Sequence, residues 1–144
     1  MTIWDFQTLV SQRLFEWARL STGIGAVMLA GNTFWQRVGF QFLGWAAVNA
    51  VLAGFGQRAS AQRAGQLPKL LARPIRRKTA RGFRRLLLIN AGLDILYMIG
   101  ALWWMRRRPE DPAAQGTGAG IIAQSAFLFV FDVAHALRVP DVDA

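Results

Sequence analysis

Three stretches of the chain, residues 34–55, 86–104 and 121–137, are apolar on every side of a helix, not along one stripe. A helix without a polar face is either the core of a large protein or a membrane span. Roughly 20 apolar residues cross a bilayer, and a span of roughly 17 still crosses with little tilt. The pattern therefore predicts three clear spans. A fourth, weaker one covers residues 15–31, where Ser21, Thr22, Gly23, Gly25, Ala26, Ala30 and Gly31 would let helix backbones approach closely. Ahead of it, Ile3, Trp4, Phe6, Leu9, Val10, Leu14 and Trp17 share one helical face. This is an amphipathic segment that either lies at the interface or runs into the first span. Asn32 and Thr33 form a tight turn, which makes the first two spans antiparallel neighbours. Residues 109–120, rich in Pro, Gly and Ala, read as a loop. Gly116, Gly118 and Gly120 follow no strand, so they read as a flexible turn and not as a phosphate loop. The expected fold is all-α: an integral membrane four-helix bundle with an N-terminal amphipathic segment, forming one domain over residues 1–144.

Charge sharpens this picture. The chain of 144 residues is 53% hydrophobic yet carries a net charge of +9. The charges sit in blocks, with long stretches between them carrying almost none. Residues 56–85 hold ten Lys or Arg and no acid, with Pro68 and Pro74 as punctuation. They predict a basic loop whose later part, from Ile75, could be a helix continuous with the third span. A basic block beside apolar spans favours anionic lipid headgroups over nucleic acid as its partner. Arg73, Arg76, Arg77, Lys78, Arg81, Arg84 and Arg85 are the candidate headgroup contacts. With both termini in the cytoplasm, thirteen of the basic residues fall inside and four, Arg37 and Arg106–Arg108, outside. The positive-inside rule selects that orientation. It predicts a multi-pass protein of the inner (cytoplasmic) membrane.

There is no cysteine, which excludes disulfides, thiolate metal sites and a cysteine nucleophile. Asp5, Arg13 and Glu16 interrupt the N-terminal stretch, so a cleavable signal peptide is not expected.

Polar residues inside the spans carry the candidate chemistry. An ionisable group at mid-span costs roughly 2.5–3.5 kcal/mol on insertion scales and usually faces the bundle interior. Asp94 is at the middle of the third span, with Asn90 one turn before it and Tyr97 one turn after, all on one face. Asp132 and His135 share a face of the fourth span, and Asn49 projects from the second. At about 1.5 Å per residue, Asn49, Asn90, Asp94, Asp132 and His135 all lie within about 12 Å of the inner ends of their spans. These five and Tyr97 form a candidate ligand or proton site. Gln41 and Gln124 fall nearer the outer side, where they could bond each other. The plainer reading is that Asn, Gln and even Asp glue helices together, at about 1 kcal/mol or less per bond. Two carboxylates are costly as glue unless one is protonated or a cation lies between them. His135 reads as a partner for Asp132 and not as a metal ligand. No metal site and no cofactor is expected.

Residues 90–97 (NAGLDILY) and 127–136 (FLFVFDVAHA) resemble parts of a family of small four-span bacterial membrane proteins with no assigned function. The resemblance covers the last three spans. It implies the same architecture and a bacterial source, and it carries over no activity or ligand.

Three functions remain open on these residues. The first is a binding or transport bundle whose intramembrane site takes a proton, a cation or a small polar ligand. The second is a non-catalytic assembly or anionic-lipid-interacting protein. The third is a membrane-embedded lipid-modifying enzyme using Asp132 and His135 as acid and base. An enzyme is the least favoured, since no nucleophile or metal set accompanies that pair. The chain shows no internal repeat of the kind many transporters carry, and a homo-oligomer would supply one.

Overall fold

The N-terminal apolar stripe is opened by a reciprocal cap. The Asp5 N–H donates to Thr2 Oγ1 at 3.2 Å, and Asp5 Oδ2 accepts the Thr2 backbone N–H at 2.9 Å. Two amides with no partner inside the helix are thereby satisfied, and helix α1 runs unbroken over Ile3–Met28. The computed structural model describes residues 1–64, 66 and 73–140. Its other helices are α2 (Thr33–Ala64), α3 (Arg73–Arg107) and α4 (Pro112–Arg138), and there is no strand among the described residues. Helices α2, α3 and α4 are long and apolar enough to cross a membrane. Helix α1 is not among those three, in keeping with the charges Arg13, Glu16 and Arg19 along it.

The expected N-terminal segment is continuous with the first helix and does not lie apart from it. Ile3, Phe6 and Val10 are buried together with Ala80 and Leu87 of α3 and with Ala136 and Val139 at the end of α4. One end of the bundle is closed by this cluster. Helix α1 packs along α2, α3 along α4, and α2 along α4. Along the α1–α2 seam, Gly25 and Gly39 bring the backbones together at one end. At the other, Thr8 donates to Ser60 at 3.0 Å and Arg63 to Gln7 Oε1 at 2.6 Å. The backbones of α2 and α3 scarcely approach each other among the described residues.

Two expected loops are largely helix. Residues 109–120 were expected to be irregular, yet α4 begins at Pro112. Asp111 Oδ1 caps it by accepting from the Ala113 and Ala114 amides at 2.9 and 3.2 Å, and Pro112 has no N–H to leave unpaired. The Gln115 amide then staples the turn by donating to Met105 O at 2.8 Å and Arg108 O at 2.9 Å. Gly116 and Gly120 are buried because α2 lies against them. A Cβ at Gly120 would stand 2.7 Å from Gln41 Cβ, and one at Gly116 would run into the Phe34 carbonyl. An interior helical glycine costs about 1 kcal/mol relative to alanine, and this close packing offsets it. The stretch 56–85 is helical over residues 56–64, which extend α2, and over 73–85, where the helix expected from Ile75 runs on into the third span. Pro68, Lys69 and the tail 141–144 lie outside the described residues.

Candidate functional site

Among the described residues seven polar side chains are buried: Ser21, Asn49, Asp94, Gln124, Ser125, Asp132 and His135. Ser125 stands apart, its hydroxyl buried with no partner, and the other six divide into three groups along the bundle.

The first group is satisfied. Gln124 on α4 bonds across to α1: its Oε1 accepts the Trp17 indole N–H at 3.1 Å, and its Nε2 donates to Ser21 Oγ at 3.3 Å. The Trp17 ring also stacks on Phe127, with centroids 3.5 Å apart. Gln124 was expected to bond Gln41. Gln41 instead packs its stem onto Gly120, one turn away from Gln124, and Trp17 supplies a better-placed donor.

The second group centres on His135. Its Nδ1 meets Phe131 O at 2.6 Å, so Nδ1 carries the proton. Nε2 is then the acceptor, and Arg13 Nη1 donates to it at 3.3 Å. Both ring nitrogens are thus committed. The sequence had placed His135 with Asp132, but α1 delivers Arg13 to it instead.

The third group is the cavity. It measures about 170 Å³ and is lined by all four helices. Asn49 comes from α2, Asn90, Asp94 and Tyr97 from α3, and Asp132 from α4. Five of the six residues singled out in the sequence therefore meet here, and His135 does not. The spacing explains the convergence: Asn90, Asp94 and Tyr97 are one turn apart, and α3 buries Leu87, Ala91, Asp94 and Ala101 along the same stripe. Asn49, Asp94 and Asp132 are 2%, 4% and 7% exposed. The Asp94 and Asp132 carboxyls line the same cavity. Asp94 Oδ2 and Asn49 Nδ2 are buried with no hydrogen-bond partner. A buried polar atom left unpaired costs about 1–3 kcal/mol. The site therefore holds an unfilled acceptor and an unfilled donor, and none of its lining residues is Lys or Arg. The sequence did not single out Trp45, Leu14, Val48, Leu52, Leu93 and Leu128, which complete the lining. Trp45 had a signal: it lies one turn before Asn49, on the same face. Its ring packs edge-on against Tyr97, centroids 5.6 Å apart.

A family model matches residues 13–133 of the chain. The chain belongs to a family of unknown function, DUF6992. The DUF6992 match begins on α1 at Arg13 and ends on α4 at Val133, so it takes in every polar residue of the cavity, while His135 lies just past its end. No curated protein and no solved structure matches the chain. Among the described residues, no group of three or more His, Asp or Glu is placed to hold a metal ion.

The candidate headgroup cations are spread over the first turns of α3. Arg73, Arg77, Lys78 and Arg81 are exposed along one open groove, and Arg85 is exposed one turn further on. Arg76 is half-buried. Arg84 has a structural task, donating to Ala136 O at 3.2 Å and Val139 O at 3.3 Å and so satisfying carbonyls at the end of α4.

Proposed function

We propose that this protein is a membrane-embedded binding bundle whose interior cavity takes up a cation or a small polar ligand. One observation carries the reading: two buried carboxylates share a cavity with no basic residue in its wall, and Asp94 Oδ2 there has no partner. Buried charges are normally paired. A carboxyl that is ionised here takes its partner from outside the chain, whereas a protonated one needs none. The protein is multi-pass, bacterial and of the inner membrane. Helix α1 crosses beside α2, against which it packs along its length, and both termini are cytoplasmic. That orientation puts thirteen basic residues inside and four outside.

The test is cation titration of the intact protein in nanodiscs of zwitterionic lipid, read by tryptophan emission, since Trp45 lines the cavity. Sodium, ammonium and alkylammonium ions would each be tried. A saturable response that disappears in both Trp45→Phe and Asp94→Asn supports the reading. If no cation gives one, and proteoliposomes carry no proton flux above that of empty vesicles, the reading is wrong.

A second role rests on the exposed cations at the start of α3. Beside an apolar span they suit the anionic lipid of the cytoplasmic leaflet, at about 1 kcal/mol per residue, screened by salt. The lipid retained by the purified protein tests it: enrichment of anionic over zwitterionic lipid that weakens at high salt supports the role, and no enrichment at low salt refutes it.

A further inference from the structure

The cavity has two unlike ends. Its floor is polar and buried, made of Asn49, Asp94 and Asp132. Its mouth is apolar. Val48 and Leu52 on α2, and Leu93 and Tyr97 on α3, line the cavity and are about half exposed on the bundle surface. Between them α2 and α3 are held apart, meeting through the Trp45–Tyr97 ring contact. Both helices are long and apolar enough to cross a membrane. The gap between them therefore opens sideways into lipid, well away from either helix end.

We propose that the occupant is an amphiphile with an organic ammonium head, entering from the lipid phase between α2 and α3. This rests on the cation-site reading above and names the class of cation. Three features select it. A carboxylate pair without a basic neighbour calls for positive charge. An indole and a phenol, Trp45 and Tyr97, line the wall, and aromatic rings attract ammonium groups. An apolar mouth strips the water from an inorganic ion but accepts an alkyl chain. Size agrees, since a dry cavity of about 150 Å³ accepts a molecule the size of benzene. At about 170 Å³, the site holds the head and its first carbons, and the rest of the tail stays in lipid. The ammonium N–H groups donate to Asp94 Oδ2 and Asp132, and Asn49 Nδ2 donates to any hydroxyl or carbonyl oxygen on the head.

The experiment is photolabelling of the full chain in zwitterionic nanodiscs. The probe is a long-chain primary amine with a diazirine near its head, and the adducts are mapped by mass spectrometry. The expected result is saturable labelling of residues 45–52 and 93–97. Unlabelled amine should suppress it and the matching alcohol should not. Asp94→Asn should reduce it about tenfold or more, as expected for loss of a charged hydrogen bond. Leu52→Trp, which fills the mouth and spares the carboxyls, should reduce it similarly. Both variants are checked for native helicity and melting. Equal competition by the alcohol, or labelling unchanged in folded Asp94→Asn, overturns the ammonium assignment. Absent labelling together with a saturable sodium or ammonium response at Trp45 overturns this inference and leaves the cation site standing. If neither probe responds, both fall.

Discussion

Trp17 on α1 gives its indole proton to the side-chain carbonyl of Gln124 on α4, at 3.1 Å, with the acceptor fully buried. Trp17→Phe keeps a ring to stack on Phe127 but orphans that carbonyl. The expected loss is about 1–3 kcal/mol of stability in detergent. Gln124→Leu alone also leaves a donor unpaired. The double variant should lose less than the two single losses added together, and equilibrium unfolding of all four proteins measures the difference.

Gly39 faces Gly25 where α1 and α2 are closest. A Cβ at Gly39 would stand 2.7 Å from the Gly25 carbonyl oxygen, which is backbone and cannot swing aside. Gly39→Ala should destabilise by about 1–3 kcal/mol. Gly44→Ala and Gly92→Ala have open space around the new methyl. They should be neutral or stabilising by up to about 1 kcal/mol. Melting temperatures in one detergent rank the three.

Asp94→Asn exchanges a buried, unpartnered carboxyl for an amide of the same shape. The fold should survive at equal or higher stability, because an uncompensated buried acid has been removed. Binding and stability should thus move in different directions. A marked drop in melting temperature would mean that Asp94 holds helices together and that the cavity is incidental.

The all-α class, the three long apolar helices and the shared face of Asn90, Asp94 and Tyr97 were legible because each follows from periodicity. Asn90, Asp94 and Tyr97 share a face wherever a helix forms, and Asp132 had to point inward or face lipid. The partners of buried polar groups were not legible. Arg13 and His135 are 122 positions apart, and no local rule joins them. The start of α4 was legible in principle, as Asp111-Pro112 is a cap followed by a first-turn proline. The glycines after it resemble a loop only when judged by rules for water. Against α2 they are the contact surface.

The hydrogen bonds of His135 fix its proton on Nδ1, with Nε2 accepting from Arg13. Nitrogen-15 spectra should show a single Nδ1–H tautomer in the wild type. In Arg13→Leu, Nε2 loses its donor, and its resonance should shift as that hydrogen bond disappears. An Nε2–H tautomer in the wild type would contradict the contact.

Asp5, at the capped start of α1, offers a pH probe outside the spans. The Thr2 backbone N–H and then the Thr2 hydroxyl hold its carboxyl below the usual range. The sign follows: the cap's contribution is present above the ordinary Asp pKa and is lost as pH falls through the lowered one. Protection of the first-turn amides of α1, measured against their intrinsic exchange rates at each pH, should fall on acidification over that range, and in Asp5→Asn this pH step should be absent.

The seams of the bundle also suggest how it is put together in a cell. Helices α1 and α2 form one antiparallel hairpin and α3 and α4 another, each with a short connection of its own. Along α2–α4 the two pack through glycines, with Gly116 on the Phe34 backbone and Gly120 on the Gln41 side chain. Polar contacts between α1 and α4, Trp17 with Gln124 and Arg13 with His135, lock the docked pair. The cavity takes its lining from both hairpins, so it comes into being only when the second docks on the first. The binding site would then be the last part of the molecule to form.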